Sequence, residues 1–261
     1  MPEFFHTAAF LESVDPAAAF NALTALADQA ITIAGDDLRV PELSQIIAVA
    51  GGIETAVESF LRLTSPSLRI RGLFQVEPYS TAAAAAVEPA SPHRVCDLRR
   101  IPLPLVVGEN LNAETDSNPV AAQIQWCIVW FAAGPIEAVG GSIFTIRATN
   151  ASTLTGSVWS NVALTFVEDL PRGRYQVVGM RARSAGLVAA RLVFVGGRWR
   201  PGVLGTDAQD DLEHPMFRYG GLGVFGEFED LEPPSVDFLS VSADTAQDVY
   251  LDLIQLRAGP G

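Results

Sequence analysis

The chain has 261 residues, 49% of them hydrophobic and only 18% charged, with a formal net charge of −13. All 17 basic residues are arginine, which excludes Schiff-base, P-loop and kinase-type lysine chemistry. A surface this acidic repels phosphates and speaks against a general nucleic-acid binder. A charged fraction below the usual quarter suits a chain that hides outer surface against other subunits.

Residues 1–65 read as a helical N-terminal region. The start, MPEFFHTAAF, has neither the basic nor the long apolar segment of a signal peptide. Asp15-Pro16 has the form of a helix start, an N-cap acceptor before a proline. Phe20, Leu23, Ala27 and Ala30 follow at helical spacing. A turn falls on Gly35-Asp36-Asp37. A second helical stretch carries Leu43, Ile46, Ile47 and Ala50, is interrupted at Gly51-Gly52, and resumes through Ile53, Ala56, Val57, Phe60 and Leu61.

From Thr64-Ser65-Pro66 onward the pattern changes to strands separated by Gly, Pro, Asn and Asp. Strands are expected near 68–76, 99–107, 123–132, 142–149, 161–168, 174–183, 187–195, 222–228, 236–242 and 248–257. Pro102 and Pro104 place the second of these at an edge or bulge. Residues 81–89, rich in alanine, read as a small-residue connection or one helical turn. No amphipathic helix separates consecutive strands, so a βαβ sheet is not expected. The pattern predicts a mainly β body over residues 66–261, an antiparallel jelly-roll β-sandwich. About ten strands suit a single elaborated barrel, with a compact double jelly roll as the alternative. The longest apolar run, near 124–133, is too short to span a membrane as a helix.

The side chains that carry chemistry are sparse. His6, His93 and His214 are far apart, with no H-x-H pair of the kind a cupin-type metal centre uses. Cys96 and Cys127 read as two separate reduced thiols, with Cys127 packed as a small hydrophobe. Glu109, Glu114 and Asp116 lie in GENLNAETDSNP, read as a solvated loop rather than a glycosidase carboxylate pair. Asp207, Asp210, Asp211, Glu213 and His214 form the densest acidic stretch. It lacks EF-hand spacing, so it reads as a solvated or interface loop, and Asp207, Asp210 and Asp211 are the chain's weak metal-ligand candidates. No cofactor and no catalytic residue are expected.

Charge along the chain is segregated. Seven arginines (172, 174, 181, 183, 191, 198 and 200) occur between Arg172 and Arg200 without an acid, and twelve acids between Asp207 and Asp252 are opposed only by Arg218. Three readings follow. The blocks neutralise each other inside one sandwich; the arginines face phosphate; or one subunit presents its acids to the next subunit's arginines. Low total charge favours the third over the second. It assigns a subunit interface to Arg172, Arg174, Arg181, Arg183, Arg198, Trp199, Arg200, Glu227, Glu229, Asp230 and Glu232. Trp199, between arginines, is the best cation–π candidate of the four tryptophans.

A helical arm followed by a strand-rich, Pro/Gly-punctuated body, with SPSLR (65–69), LPRGRYQVVGM (170–180) and RWRPG (198–202) as turn-and-strand elements, resembles the jelly-roll capsid proteins of icosahedral viruses, especially small tailless phages. The resemblance implies a non-enzymatic coat subunit of a virion, assembled in the host cytoplasm. Its partner would be itself, as a trimer or higher oligomer within a shell, with other virion proteins as further neighbours. It implies no specific nucleic-acid site and no transmembrane segment. The alternative is a β-sandwich carbohydrate-binding module or carbohydrate-active enzyme. GLGVFG (221–226) has the letters of a dinucleotide turn, but EFEDLEPPSVDF follows it, so no helix can open there to hold a pyrophosphate. Its glycines are expected where neighbouring chain packs closely, in a sheet or at a bulge.

Overall fold

The computed structural model describes residues 5–14, 17–53, 60–71, 74–76, 79–80, 95–117, 123–206 and 213–259. Among them the chain is mainly β, and its strands pair almost wholly antiparallel. It divides into two compact units. One is Thr7–Pro135; the other is Ile136–Gly261 together with the chain start through His6. The division falls after Pro135.

The strands of the first half are β1 (Phe5–Val14), β2 (Ala17–Ala22), β3 (Thr24–Ala25), β4 (Ile33–Ala34), β5 (Asp37–Arg39), β6 (Gln45–Ile53) and β7 (Phe60–Thr64). A six-residue helix, α1 (Pro66–Arg71), precedes β8 (Phe74–Val76), β9 (Tyr79–Ser80), β10 (Cys96–Asp97), β11 (Leu103–Pro104), β12 (Asn110–Ser117) and β13 (Gln123–Ala132). One sheet runs β10-β6-β13-β1-β3, with β9 and β11 also on β6; the other runs β4-β5-β12-β7-β8, with β2 also on β12.

The helical N-terminal region expected over 1–65 is corrected: its described residues form strands. The physical reason is burial on both faces. Ile46, Ile47, Ala48, Val49 and Ala50 are all buried, so β6 is a continuous apolar run. Such a run contains the i, i+3, i+4 spacing of a helix without obeying it. Leu23, expected on a helix face, instead donates its backbone N–H to Ala113 O at 2.8 Å, across strands. The turn at Gly35 is as expected: φ +69° at that glycine closes a hairpin that pairs Ala34 with Asp37. Ala56 and Val57, Asp15-Pro16 and the alanine-rich stretch 81–89 lie outside the described residues.

Two further expectations change in this half. Residues 66–71 are helical instead of extended, opened by Ser65, whose hydroxyl accepts the Leu68 N–H at 3.1 Å. The acidic stretch read as a loop is strand β12, paired with β7 and β5. Its charge is absorbed across the sheet: Arg62 meets Glu114 at 2.6 Å. Both cysteines are free, and burial raises the thiol pKa of each.

The second unit is a single sheet, containing β14 (Phe144–Asn150), β15 (Trp159–Val162), β16 (Thr165–Phe166), β17 (Gly173–Arg183), β18 (Leu187–Val193), β19 (Gly202–Thr206), β20 (Gly226–Glu229), β21 (Ser235–Ser240) and β22 (Gln247–Ala258). Its order is β15-β21-β18-β19-β17-β22-β14-β16, with β20 on β17. In β14 Ile146 and Ala148 are buried, while Phe144 on the same face is exposed at the strand's start. β17 is the spine: β22 runs along its whole length, while β20 flanks its first half and β19 its second.

In the first unit Gly52 lies opposite Trp126, whose ring covers it; a Cβ there would enter the indole. Trp126 is 1% exposed and has no room to withdraw. Gly52→Ala is therefore expected to destabilise the protein by about 1–3 kcal/mol through overpacking, measured by urea unfolding. A neutral result would mean that the ring does not sit over that glycine.

Candidate functional site

Of the sequence-predicted interface residues, Arg174, Glu227, Glu229 and Glu232 come together beside the start of β17, with Arg198 and Trp199 on the adjoining groove, whereas Arg181 and Arg183 lie at the far end of that strand. In the β17–β20 ladder Arg174 faces Glu229, and Gln176 faces Glu227. Side chains on one face of neighbouring strands meet diagonally, and Arg174 reaches Glu227 at 2.7 Å. Phe228 points to the other face, where it is tilted against Tyr175 at 5.7 Å and stacked on Phe166 at 6.5 Å.

Two tight turns flank this short strand. Between β18 and β19 the Gly197 N–H bonds Phe194 O at 3.0 Å, with Gly196 at φ +68°, and Val195 stands at the tip. After β20 the Glu232 N–H bonds Glu229 O at 2.8 Å, with Leu231 at the tip. A groove of about 390 Å³ lies between β20 and the first turn, lined by Phe194, Trp199, Phe225 and Gly226 among others. A slot of about 290 Å³, sharing Arg174, Val195 and Glu227 with it, extends to Phe228, Glu229 and Glu232.

The GLGVFG stretch forms one wall of the groove. The strand begins only at Gly226, later than expected, but close packing is present. A Cβ on Gly226 would enter the Phe194 ring, and one on Gly221 would strike the Met216 backbone. Gly223 lies at φ +72°. Phe5 packs edge-on against Phe225 at 4.8 Å, and His6 Nδ1 accepts the Arg200 N–H at 3.1 Å.

Most of the arginine block meets acids of its own unit. Besides Arg174, Arg181 meets Glu213 at 3.3 Å, Arg183 meets Asp248 at 3.0 Å, and Arg191 meets Asp237 at 3.0 Å. Arg198 covers the Trp199 ring at 4.5 Å, and Arg191 covers Trp159 at 4.0 Å. Arg200 donates to the carbonyl of Gly197 at 2.6 Å. Exposed Arg172 contributes its carbonyl, which accepts the Gly259 N–H at 2.8 Å. On the acidic side Asp230 accepts the Gly173 N–H at 2.9 Å, Glu229 has Arg257 at 3.7 Å, and Glu232 is exposed. Mutual neutralisation inside one unit thus accounts for most of the segregated charge.

Asp207, Asp210 and Asp211 lie outside the described residues. Among the described residues no three His, Cys, Asp or Glu side chains gather as a metal ion requires, and no helix is long and apolar enough to cross a membrane. Glu109, read as part of a loop, caps the start of α1 by accepting the Ser67 N–H at 3.0 Å.

The strongest electrostatic feature was not anticipated. Asp252, on β22, is 0% exposed. Its Oδ1 accepts from Thr145 Oγ1 at 2.7 Å and Arg218 Nη2 at 2.8 Å; its Oδ2 accepts from Arg218 Nε at 2.7 Å and the Tyr219 N–H at 3.0 Å. Four bonds saturate a carboxylate. Arg218 also reaches Glu213 at 2.9 Å. Burial alone would lower the Arg218 pKa, but Asp252 and Glu213 outweigh it and raise it. The available signal was Arg218 itself, the lone base among twelve acids.

No family model matches the chain, and no curated protein matches it. Among solved structures it is similar to the crystal structure of the major capsid protein P2 from bacteriophage PM2, at 13% identity over 98% of this chain and 99% of that one, with a TM-score of 0.28.

Removing Arg218 would leave Asp252 buried and unpaired. Arg218→Ala is expected to cost about 3–5 kcal/mol of folding stability, read from denaturant midpoints. A loss below about 1 kcal/mol, the range of an exposed pair, would mean the carboxylate is solvated.

Proposed function

We propose that this protein is a non-enzymatic coat subunit of a virion, a bacteriophage shell protein that assembles with copies of itself through heterologous contacts. The observation that carries the reading is tandem construction: one chain builds two compact β units of near-equal length. Each unit is read as a jelly roll, the continuous sheet of the second curling over on itself, so that the chain corresponds to the double-barrel form of such coats rather than to one elaborated barrel. Low charge over a large apolar fraction supports it, because assembly covers surface that a solitary molecule must keep wet.

The surface around the β20 edge also fits the reading. Val195 and Leu231, at the two turn tips, are 74% and 72% exposed. Apolar side chains held forward on rigid turns are suited to a protein neighbour. Heterologous contacts of this kind generate closed rings and shells when their rotation closes.

Size-exclusion chromatography followed by electron microscopy of the purified protein tests the proposal. Trimers or larger rings, and particles at high concentration, are expected. A stable monomer under all conditions that binds an oligosaccharide in the groove beside Trp199 would contradict it and favour a carbohydrate-binding module.

A further inference from the structure

The slot beside β20 is acidic. Of the residues that line it, Glu227, Glu229 and Glu232 are carboxylates and Arg174 is the one cation. Arg174 is engaged by Glu227. Among the described residues Glu229 has only the long 3.7 Å contact to Arg257, a side chain 74% exposed. Glu232 is exposed and makes no ion pair among the described residues. The mouth of the slot therefore carries two carboxylates with little local compensation, next to the apolar tips Val195 and Leu231.

A feature of matching chemistry stands on the unit formed by Thr7–Pro135. After β10 the Ile101 N–H bonds Leu98 O at 3.0 Å, making a turn with Arg99 and Arg100 at its centre. Arg99 is clamped by Asp97, with bonds of 2.9 and 2.7 Å. Arg100 is exposed and makes no ion pair among the described residues, and Ile101 beside it is 80% exposed. Pro102 follows and fixes the backbone direction out of the turn. The result is a rigid tip carrying one unneutralised guanidinium and one exposed apolar side chain.

We infer that the Arg100–Ile101 turn of one copy seats in the acidic slot of a second copy. Arg100 lies against Glu229 and Glu232, and Ile101 packs between Val195 and Leu231. The inference rests on the self-assembly reading and names its contact. Arg100, an arginine outside the 172–200 block, takes the place expected of that block, because most of the block's guanidiniums are already engaged inside their own unit. The contact is heterologous, since slot and turn are different patches of the same molecule. It consequently propagates from copy to copy until a ring closes.

A charge swap tests it, with self-association followed by sedimentation velocity. Arg100→Glu and Glu232→Arg should each weaken association by about tenfold or more, and the two together should restore it to within about threefold of the unmodified chain. In a Cys96→Ser background, Ile101→Cys with Val195→Cys should form disulfide-linked oligomers on mild oxidation, whereas Ile101→Cys with Val167→Cys should not. If assembled material forms but the swap gives no rescue and the 101–195 pair does not cross-link, this contact is wrong while the coat reading stands. An unmodified chain that stays monomeric at every concentration overturns both.

Discussion

The second unit depends on one buried carboxylate. Asp252 sits at the middle of β22, where the β17 partner is Gly179, the one residue type that leaves room for it. A Cβ on Gly179 would strike Asp252 and approach the Tyr219 N–H and the Arg218 backbone. A bulge in β17 between Val177 and Gly179 shifts the register there and gives the ladder a local bend. The segment 213–220 folds over this gap, and the Asp252 bond to the Tyr219 N–H holds that residue at φ +51°, a conformation unfavourable by about 1–2 kcal/mol for a side-chain-bearing residue. The chain then enters GLGVFG and β20. The carboxylate that fixes 218–219 thus also fixes the strand that walls the groove and slot.

This constraint explains the fate of the charges. Cross-strand neighbours on β17, β18, β21 and β22 place arginines beside acids at intervals that a sheet dictates, as in Arg191 with Asp237, directly opposite in the β18–β21 ladder. In a linear sequence the blocks 172–200 and 207–252 look like two surfaces; in a sheet they are neighbouring strands. Once these pairs are made, the exposed charges without an ion pair among the described residues include Asp169, Arg172 and Glu232 in one unit and Arg69 and Arg100 in the other, and Glu229 keeps only its long contact to Arg257.

How much of this was legible depended on period. β13, β17 and β22 were readable because they are long, bounded by Gly, Pro or Asp, and rich in β-branched residues. β6 was misread as helix because both its faces are buried, which erases the period-two signal. β12 was misread as a loop because its Asn, Glu and Asp residues find partners in Arg62 and Asp37 that lie 52 and 73 residues away in sequence. β19, GVLGT, was not anticipated: its two glycines suit close approach, where a Cβ would press on Arg191 or Leu187, but glycines in a short run read as turn. For the site, the glycines of GLGVFG and the arginine and acid blocks were visible. Their mutual pairing, and the role of Arg100, required the fold.

The most direct measurement is native-state hydrogen exchange of the second unit. If the Asp252 clamp organises it, the amides of Val177, Met180, Leu251 and Leu253 on the paired β17 and β22 strands will exchange only through global unfolding, and will be the slowest in the unit. The Tyr219 amide, bonded to that carboxylate, will share their protection. Exchange of Tyr219 at the rate of an open loop, with β17 and β22 no better protected than the short edge strands β15 and β16, would contradict the account.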